Sequence, residues 1–392
     1  MTDWKTATLS ELCEINIGRT PPRARPEYWG PGFPWLTIAD MNHGRDLSAT
    51  KDTITDLAVK ECNCRPASAG SVLLSFKLSI GKVGIARVPL YTNEAIAALP
   101  IKNPPRLQRD YLYWALRSMD LTQGLDRAAK GLTLNKDKLA RISIPVPPAA
   151  EQRRITDVLD RAEALRTKRR AALALLDTLT RSIFLDMFSQ EAAADAANGK
   201  ARLESITSLI TKGTTPTSIG YAFADRGVPF VRVQNLVSGG VDWETDVLFV
   251  SVDTHRALSR SQIHEGDVLV SIAGTIGRVA IVASPAPELN CNQAVAIIRP
   301  TTDVLPEYLA YWLQAESAQR QMFGAQVTGT ISNLSLTQLR NLRLPVPALS
   351  RQREFVGRLT QVGKLTASHR ASLAGLDSLF ASLQRRAFSG RL

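Results

Sequence analysis

Much of this sequence is written twice. Leu9-Ser10-Glu11-Leu12 leads through Ile15 to Gly18-Arg19-Thr20-Pro21, and Leu203-Glu204-Ser205-Ile206 leads through Leu209 to Gly213-Thr214-Thr215-Pro216. Pro34-Trp35-Leu36-Thr37-Ile38-Ala39-Asp40-Met41 is answered by Pro229-Phe230-Val231-Arg232-Val233-Gln234-Asn235-Leu236. Gly70-Ser71-Val72-Leu73-Leu74-Ser75 is answered by Gly266-Asp267-Val268-Leu269-Val270-Ser271, and Ile80-Gly81-Lys82-Val83 by Ile276-Gly277-Arg278-Val279. Asn93-Glu94-Ala95-Ile96-Ala97 then pairs with Asn292-Gln293-Ala294-Val295-Ala296, and Tyr111-Leu112 with Tyr308-Leu309. The sharpest match is Leu139, Ile142, Ile144-Pro145-Val146-Pro147 and Gln152-Arg153 against Leu339, Leu342, Leu344-Pro345-Val346-Pro347 and Gln352-Arg353, at a constant offset of 200. The same offset carries Leu176, Asp177 and Leu179 onto Leu376, Asp377 and Leu379. A repeat kept in this order makes the two halves versions of one plan.

Each half has two parts. The first mixes short strand-like runs (Val72 to Leu74, Val83 to Ala86, Val268 to Ile272, Val279 to Val282) with turn residues, and short helices are expected over Tyr111 to Ser118 and Tyr308 to Gln314. The Pro34- and Pro229-led runs are expected to be strands ending at Asp40 and Asn235. The prolines at Pro145, Pro147 and Pro148 end any earlier element, and a long helix can start after them. From Ile155, apolar residues recur at Val158, Ala162, Leu165, Ala172, Leu176, Leu179, Ile183 and Met187, with a counterpart from Phe355 through Leu365, Leu376, Phe380, Leu383 and Ala387. This alternation of threes and fours has coiled-coil spacing. One such stripe most simply packs on its own domain. Two matched stripes are buried economically by pairing with each other. The expected fold is therefore α+β: residues 1–148 a mixed domain, 149–190 a long helix, 191–201 a linker, 202–348 a second mixed domain and 349–392 a second long helix. About 38 helical residues make a rod of roughly 57 Å.

The 392 residues, 44% hydrophobic and 21% charged, exclude a disordered basic tail, and the net charge of +12 favours a polyanionic partner. Half of that charge lies after Pro347, where eight basic residues face Glu354 and Asp377. Such a segment suits DNA, an acidic protein or a solvated face equally. Cys13, Cys62, Cys64 and Cys291 are too few and uneven for a disulfide framework, which points to a reducing compartment. A start without a basic and apolar leader, and no apolar run of about 18 residues, point to a soluble, cytoplasmic chain.

The usual catalytic constellations are missing. His43, His255, His264 and His369 are scattered, Cys62-Asn63-Cys64 has no second ligand pair, and there is no phosphate-binding G-x-x-x-x-G-K-[ST] loop. Asn103-Pro104-Pro105 has the first three residues of an amino-methyltransferase motif, but Arg106 stands where that motif needs a stacking aromatic. No catalytic residue, metal site or cofactor of its own is expected. What remains is binding: the Gly-Thr-Pro turns and the Gly81-Lys82 and Gly277-Arg278 turns put small, amide and basic residues in loops, suited to phosphate positioning and base-edge readout.

The twofold order of these blocks resembles the specificity subunit of type I restriction-modification systems. The resemblance covers nearly the whole chain and rests on Ile144-Pro145-Val146-Pro147-Pro148 with Glu151-Gln152 and Ile155, on Gly266-Asp267-Val268-Leu269-Val270-Ser271 with Gly274-Thr275-Ile276-Gly277, and on Ala387-Phe388-Ser389-Gly390. The second copy has Arg351 and Phe355 where the first has Glu151 and Ile155. The resemblance implies two target recognition domains, each reading half of a split asymmetric double-stranded DNA site, spaced by an antiparallel coiled coil acting as a ruler. It implies two methyltransferase subunits docked on the helices and restriction subunits joining them. S-adenosylmethionine, ATP and Mg2+ would sit on those partners. Candidate DNA contacts are Arg19, Thr20, Lys82, Thr133 and Asn135 in the first half, and Thr214, Arg232, Gln234, Asn235, Arg278, Thr330 and Asn333 in the second. Candidates for helix pairing or partner docking are Ile155, Leu165, Leu176, Leu179, Phe355, Leu376, Phe380 and Leu383. A coiled-coil adaptor that joins proteins without reading DNA is the alternative.

Overall fold

A computed structural model describes residues 4–121, 127, 128, 131, 132, 134–194, 200–237, 240–323 and 333–392. It resolves into two compact units, Met1–Ala171 with Arg370–Leu392, and Ala172–His369. Each unit thus combines one mixed domain with the start of the helix that follows it and the end of the other long helix.

In the first unit a five-stranded sheet runs in the order Asn16–Ile17, Ile96–Leu99, Val72–Ser75, Val83–Ala86, Asp46–Leu47, antiparallel except for its last pair. A three-stranded sheet places Trp29–Leu36 between Asp52–Ile54 and a parallel partner, Tyr91–Thr92. The second unit repeats the plan with Thr207–Lys212, Val295–Pro300, Val268–Ser271 and Val279–Ile281 in one sheet. Its second sheet sets Val228–Val231 beside Leu289–Cys291, again in parallel. The strands Val72–Ser75, Val83–Ala86 and Val268–Ser271 are buried along their whole length, which is why they read as continuous apolar runs rather than alternating ones. The helices Arg109–Ser118 and Pro306–Gln314 lie under these sheets and bury Tyr111, Tyr113, Trp114, Tyr308 and Trp312 almost completely. Full burial of side chains this size contributes about 2–3 kcal/mol each.

The central helix spans Ala149–Ala194 and the C-terminal helix Leu349–Phe388. The central helix therefore extends four residues into the segment expected to be a linker, and Ala201 already pairs in a strand with Leu344. Alanine and glutamate favour continuing a helix, so Glu191 to Ala194 extend it. The buried glutamine after each proline run fixes where the helix begins. Gln152 Nε2 donates to the Pro147 and Arg106 carbonyls at 2.9 and 2.8 Å, and its Oε1 accepts from the Gln108 amide at 2.8 Å. Gln352 does the same with Pro347, Asp303 and the Leu305 amide at 2.8, 2.9 and 2.8 Å. Tyr111 and Tyr308 donate to the Pro145 and Pro345 carbonyls.

Within each unit the two long helices run antiparallel. In the first, Ile155, Leu159 and Ala162 share a core with Phe388, Ala387, Leu383 and Phe380. In the second, Phe188 packs edge-on to Phe355, 5.3 Å between ring centres. The apolar stripes are not buried at every position. Ile155, Phe355 and Phe380 are buried in the cores of their units, Leu176, Leu376 and Leu383 are half-buried, and Leu165 and Leu179 remain 54% and 44% exposed. Beside Leu165 the helix contact is polar. Arg166 donates to Asp377 at 2.6 Å and lies 4.3 Å from the centre of the Phe380 ring. A straight helix of 3.6 residues per turn drifts away from a 3.5-residue stripe, so residues on the same sequence stripe end on different faces.

Candidate nucleic-acid interface

The loops singled out by the repeat gather on one scaffold in each domain. Gly18 and Gly213 pass so close to a neighbouring strand that an added Cβ would stand 2.0 Å from the Thr92 carbonyl oxygen and 2.1 Å from that of Cys291. The next amide, of Arg19 or Thr214, donates to that same carbonyl at 2.8 or 3.1 Å. One residue on, Thr20 donates to the Glu94 carboxylate and Thr215 to the Gln293 side chain. The Gly-x-Thr-Pro turn is thereby fastened to the Asn-x-Ala block in both copies. A cleft of about 380 Å³ lined by Arg19, Thr20, Pro22, Cys62 and Glu94 opens there in the first domain. The second has a groove of about 510 Å³ that includes Lys212, Ala273, Gln293, Asn333 and Ser335.

The basic turns are also built alike. Lys82 Nζ reaches the Ile38 carbonyl at 3.2 Å and Asn42 Oδ1 at 2.6 Å, and Arg278 reaches the Val233 carbonyl at 3.4 Å. The loops that receive them are short 3-10 turns, Asp40–His43 and Val233–Asn235, and not the ends of strands. Asp40 and Asn235 curl the chain there. Asp40 accepts from the Thr37 amide and hydroxyl and from the Lys51 amide, at 2.8, 2.6 and 3.1 Å. Burial raises its pKa, but these donors outweigh burial and hold it below the usual carboxylate value. Asn235 accepts from the Arg232 amide at 2.9 Å and donates toward the Thr245 carbonyl at 3.3 Å.

Most candidate contacts therefore face outward, with one clear correction. Arg19, Thr20, Asn135, Gln234, Arg278 and Asn333 are exposed, and Lys82, Thr214 and Arg232 half-buried. Asn235 is 2% exposed, its amide used inside its own turn, so it shapes the loop instead of contacting a ligand. Asn135 also caps a short helix, accepting from the Lys138 amide at 2.7 Å. Thr133 and Thr330 lie outside the described residues. Arg232 and Gln234 are held by a residue the sequence reading missed: Asp246 accepts from Gln234 at 2.6 Å and, through its carbonyl, from Arg232 at 2.8 Å. Glu94, Gln293 and Asn42 were also missed. The first two occupy equivalent positions of a repeated block, a signal the alignment of the halves contained.

The first domain adds an aromatic and basic cluster beside Arg19. The Arg23 guanidinium lies 3.6 Å from the centre of the Trp29 ring, and the Trp35 indole donates to the Arg19 carbonyl at 3.0 Å. The Tyr28 hydroxyl, hydrogen-bonded to Glu61, is pushed up to about 12. All four cysteines are free thiols. No described helix is long and apolar enough to cross a membrane.

Two domains with one loop scaffold, joined to long helices, match what the comparisons return. The family model for the type I restriction modification DNA specificity domain matches twice, over residues 1–174 and 200–377. The chain belongs to this family. It is 28% identical over 257 residues to the type I restriction enzyme MjaIX specificity subunit of Methanocaldococcus jannaschii, covering 60% of this chain and 59% of that protein. The matched stretch thus spans about three-fifths of that relative. Among solved structures, the fold resembles the S subunit of a type I restriction-modification system from M. genitalium, with a TM-score of 0.56, 14% identity and coverage of 98% and 96%. It also resembles a chain from a study of complex assembly and conformational transition of the type I R-M system, with a TM-score of 0.59, 18% identity and coverage of 100% and 99%.

Proposed function

We propose that this chain is the DNA-reading subunit of a type I restriction-modification complex, each domain recognising one half of a bipartite, asymmetric duplex site. The observation that carries the reading is one scaffold repeated in both halves with different tips. The same hydrogen bonds hold Thr20 and Thr215, or Lys82 and Arg278, in corresponding turns, while the exposed side chains around them differ. Identical readers would suit a palindrome, and different readers on one plan suit an asymmetric site. Chemistry belongs, on this reading, to the partners: two methyltransferase subunits using S-adenosylmethionine to methylate adenine, and restriction subunits using ATP and Mg2+. Arg19, Thr20, Lys82, Asn135, Thr214, Arg232, Gln234, Arg278 and Asn333 are the contacts proposed here, with Leu165 and Leu179 on the partner-facing side of the helices.

The test is to tag the chain in its own host, purify it at moderate salt and weigh what accompanies it. Two copies of an adenine methyltransferase are expected. Duplex affinity of that complex should fall with salt at a log-log slope near −0.9 per neutralised phosphate. A chain that arrives with unrelated proteins and binds no duplex would establish the coiled-coil adaptor instead.

A further inference from the structure

The turn Ser75–Lys82 and its counterpart Ser271–Arg278 have the same internal geometry. Ser75 Oγ donates to the Ser79 carbonyl and accepts from the Lys82 amide at 2.9 Å. Ser271 Oγ donates to the Thr275 carbonyl at 2.6 Å and accepts from the Arg278 amide at 2.8 Å. The Gly81 and Gly277 amides close both turns onto Ser75 and Ser271, each at 3.0 Å. At the fourth position the backbone is left-handed in both copies, with φ of +63° and +70°. The second copy has Gly274 there, the residue that adopts this conformation without strain. The first copy has Leu78.

Leucine is disfavoured at this position twice over. Its Cβ opposes the left-handed backbone, and its side chain is 74% exposed, more than any other large hydrophobic among the described residues. Gly274 shows that the turn closes without it. The closure of the turn therefore gives no reason for Leu78. Its neighbours indicate the kind of molecule it would suit. Lys77 precedes it and Lys82 closes the turn, and at the base of the turn the Phe76 amide and carbonyl bond the Ala95 carbonyl and the Leu134 amide, next in sequence to Glu94 and Asn135 of the candidate interface. An apolar tip between cations fits a base step bordered by phosphates.

We propose that Leu78 is a wedge that presses into a base step of the half-site read by the first domain, and that the second domain reads its half without one. The inference rests on the DNA-reading function proposed above. Its test uses the complex purified from the host, with duplexes carrying the motif found by mapping the methylated sites of that host. Leu78→Gly, which copies Gly274, should weaken binding to the motif duplex by roughly tenfold while leaving the slope with salt unchanged. Its thermal midpoint should not fall, and the mapped motif should relax in one half only. Leu78→Asn, also tolerant of this φ, should behave alike. Wild-type affinity and an unchanged motif in both variants would overturn the wedge and leave the DNA-reading function standing. An equal loss in both half-sites would also overturn it. A wild-type complex that binds no duplex would overturn the DNA-reading function first.

Discussion

Buried His255 in the second domain gives the fold a pH dependence. His255 is 6% exposed, and its Nδ1 lies 3.2 Å from the Asn290 side-chain amide, which in turn approaches the Leu258 carbonyl. Burial lowers the pKa of His255 below the ordinary 6.5, and the nearby Glu288 only partly offsets this. A proton on Nδ1 would also set one donor against another at Asn290. The unfolded chain therefore binds this proton more readily than the folded one. The stabilisation is complete above pH 6.5 and is lost as the pH falls from there through the lower folded value. Thermal melts between pH 7.5 and 5 should show the wild-type midpoint dropping with acid, with a shallower drop in His255→Gln. Equal slopes in both proteins would remove His255 as the cause. Nothing in the sequence marked this histidine apart from the other three, because its partner Asn290 lies on the strand Leu289–Cys291, which is distant in the chain.

At the scale of elements, the long helices begin where a single amide side chain fills three backbone valences. Gln152 and Gln352 are both fully buried, and each satisfies two carbonyls and one amide around a proline run that leaves few donors of its own. Gln152→Leu keeps the volume but leaves those groups unpaired, at about 1–3 kcal/mol for each that water cannot reach. Hydrogen exchange should rise at the Gln108 amide in Gln152→Leu and at the Leu305 amide in Gln352→Leu. Protection equal to wild type at those amides would mean the glutamines are dispensable. The glutamines and prolines were legible in sequence because spacing alone exposed them, as were the apolar strands and the helices at Tyr111 and Tyr308. The 3-10 turns at Asp40 and Asn235 were not. A turn closed by its own carboxylate or amide has the same composition as a strand end, and only three-dimensional hydrogen bonding separates them. The left-handed backbone at Leu78 was equally hidden, since leucine gives no local sign of it and only Gly274 in the other copy does.

For the whole molecule, the proposed ruler makes helix length the quantity to vary. The central helix has 46 residues and the C-terminal helix 40, both longer than a single domain needs for its core. The central helix enters the core of the first unit through Ile155 and Leu159 and that of the second through Phe188, and the C-terminal helix enters them through Phe380 and Phe355. Within each unit these segments are held by buried aromatic and aliphatic side chains. Four residues inserted between Leu173 and Ile183 add about 6 Å of helix and slightly more than one full turn, which nearly restores the original face. The proposed ruler then requires the unspecified spacer of the methylation motif to grow by one or two base pairs, at roughly 3.4 Å each, while both half-sites keep their sequences. Mapping methylated adenines in a host that carries only the inserted variant measures spacer and half-sites together. A longer spacer with intact halves makes the helices the measure of the site. An unchanged spacer assigns its length to the loops or the partners, and altered half-sites would show that the insertion disturbed the readers rather than the distance between them.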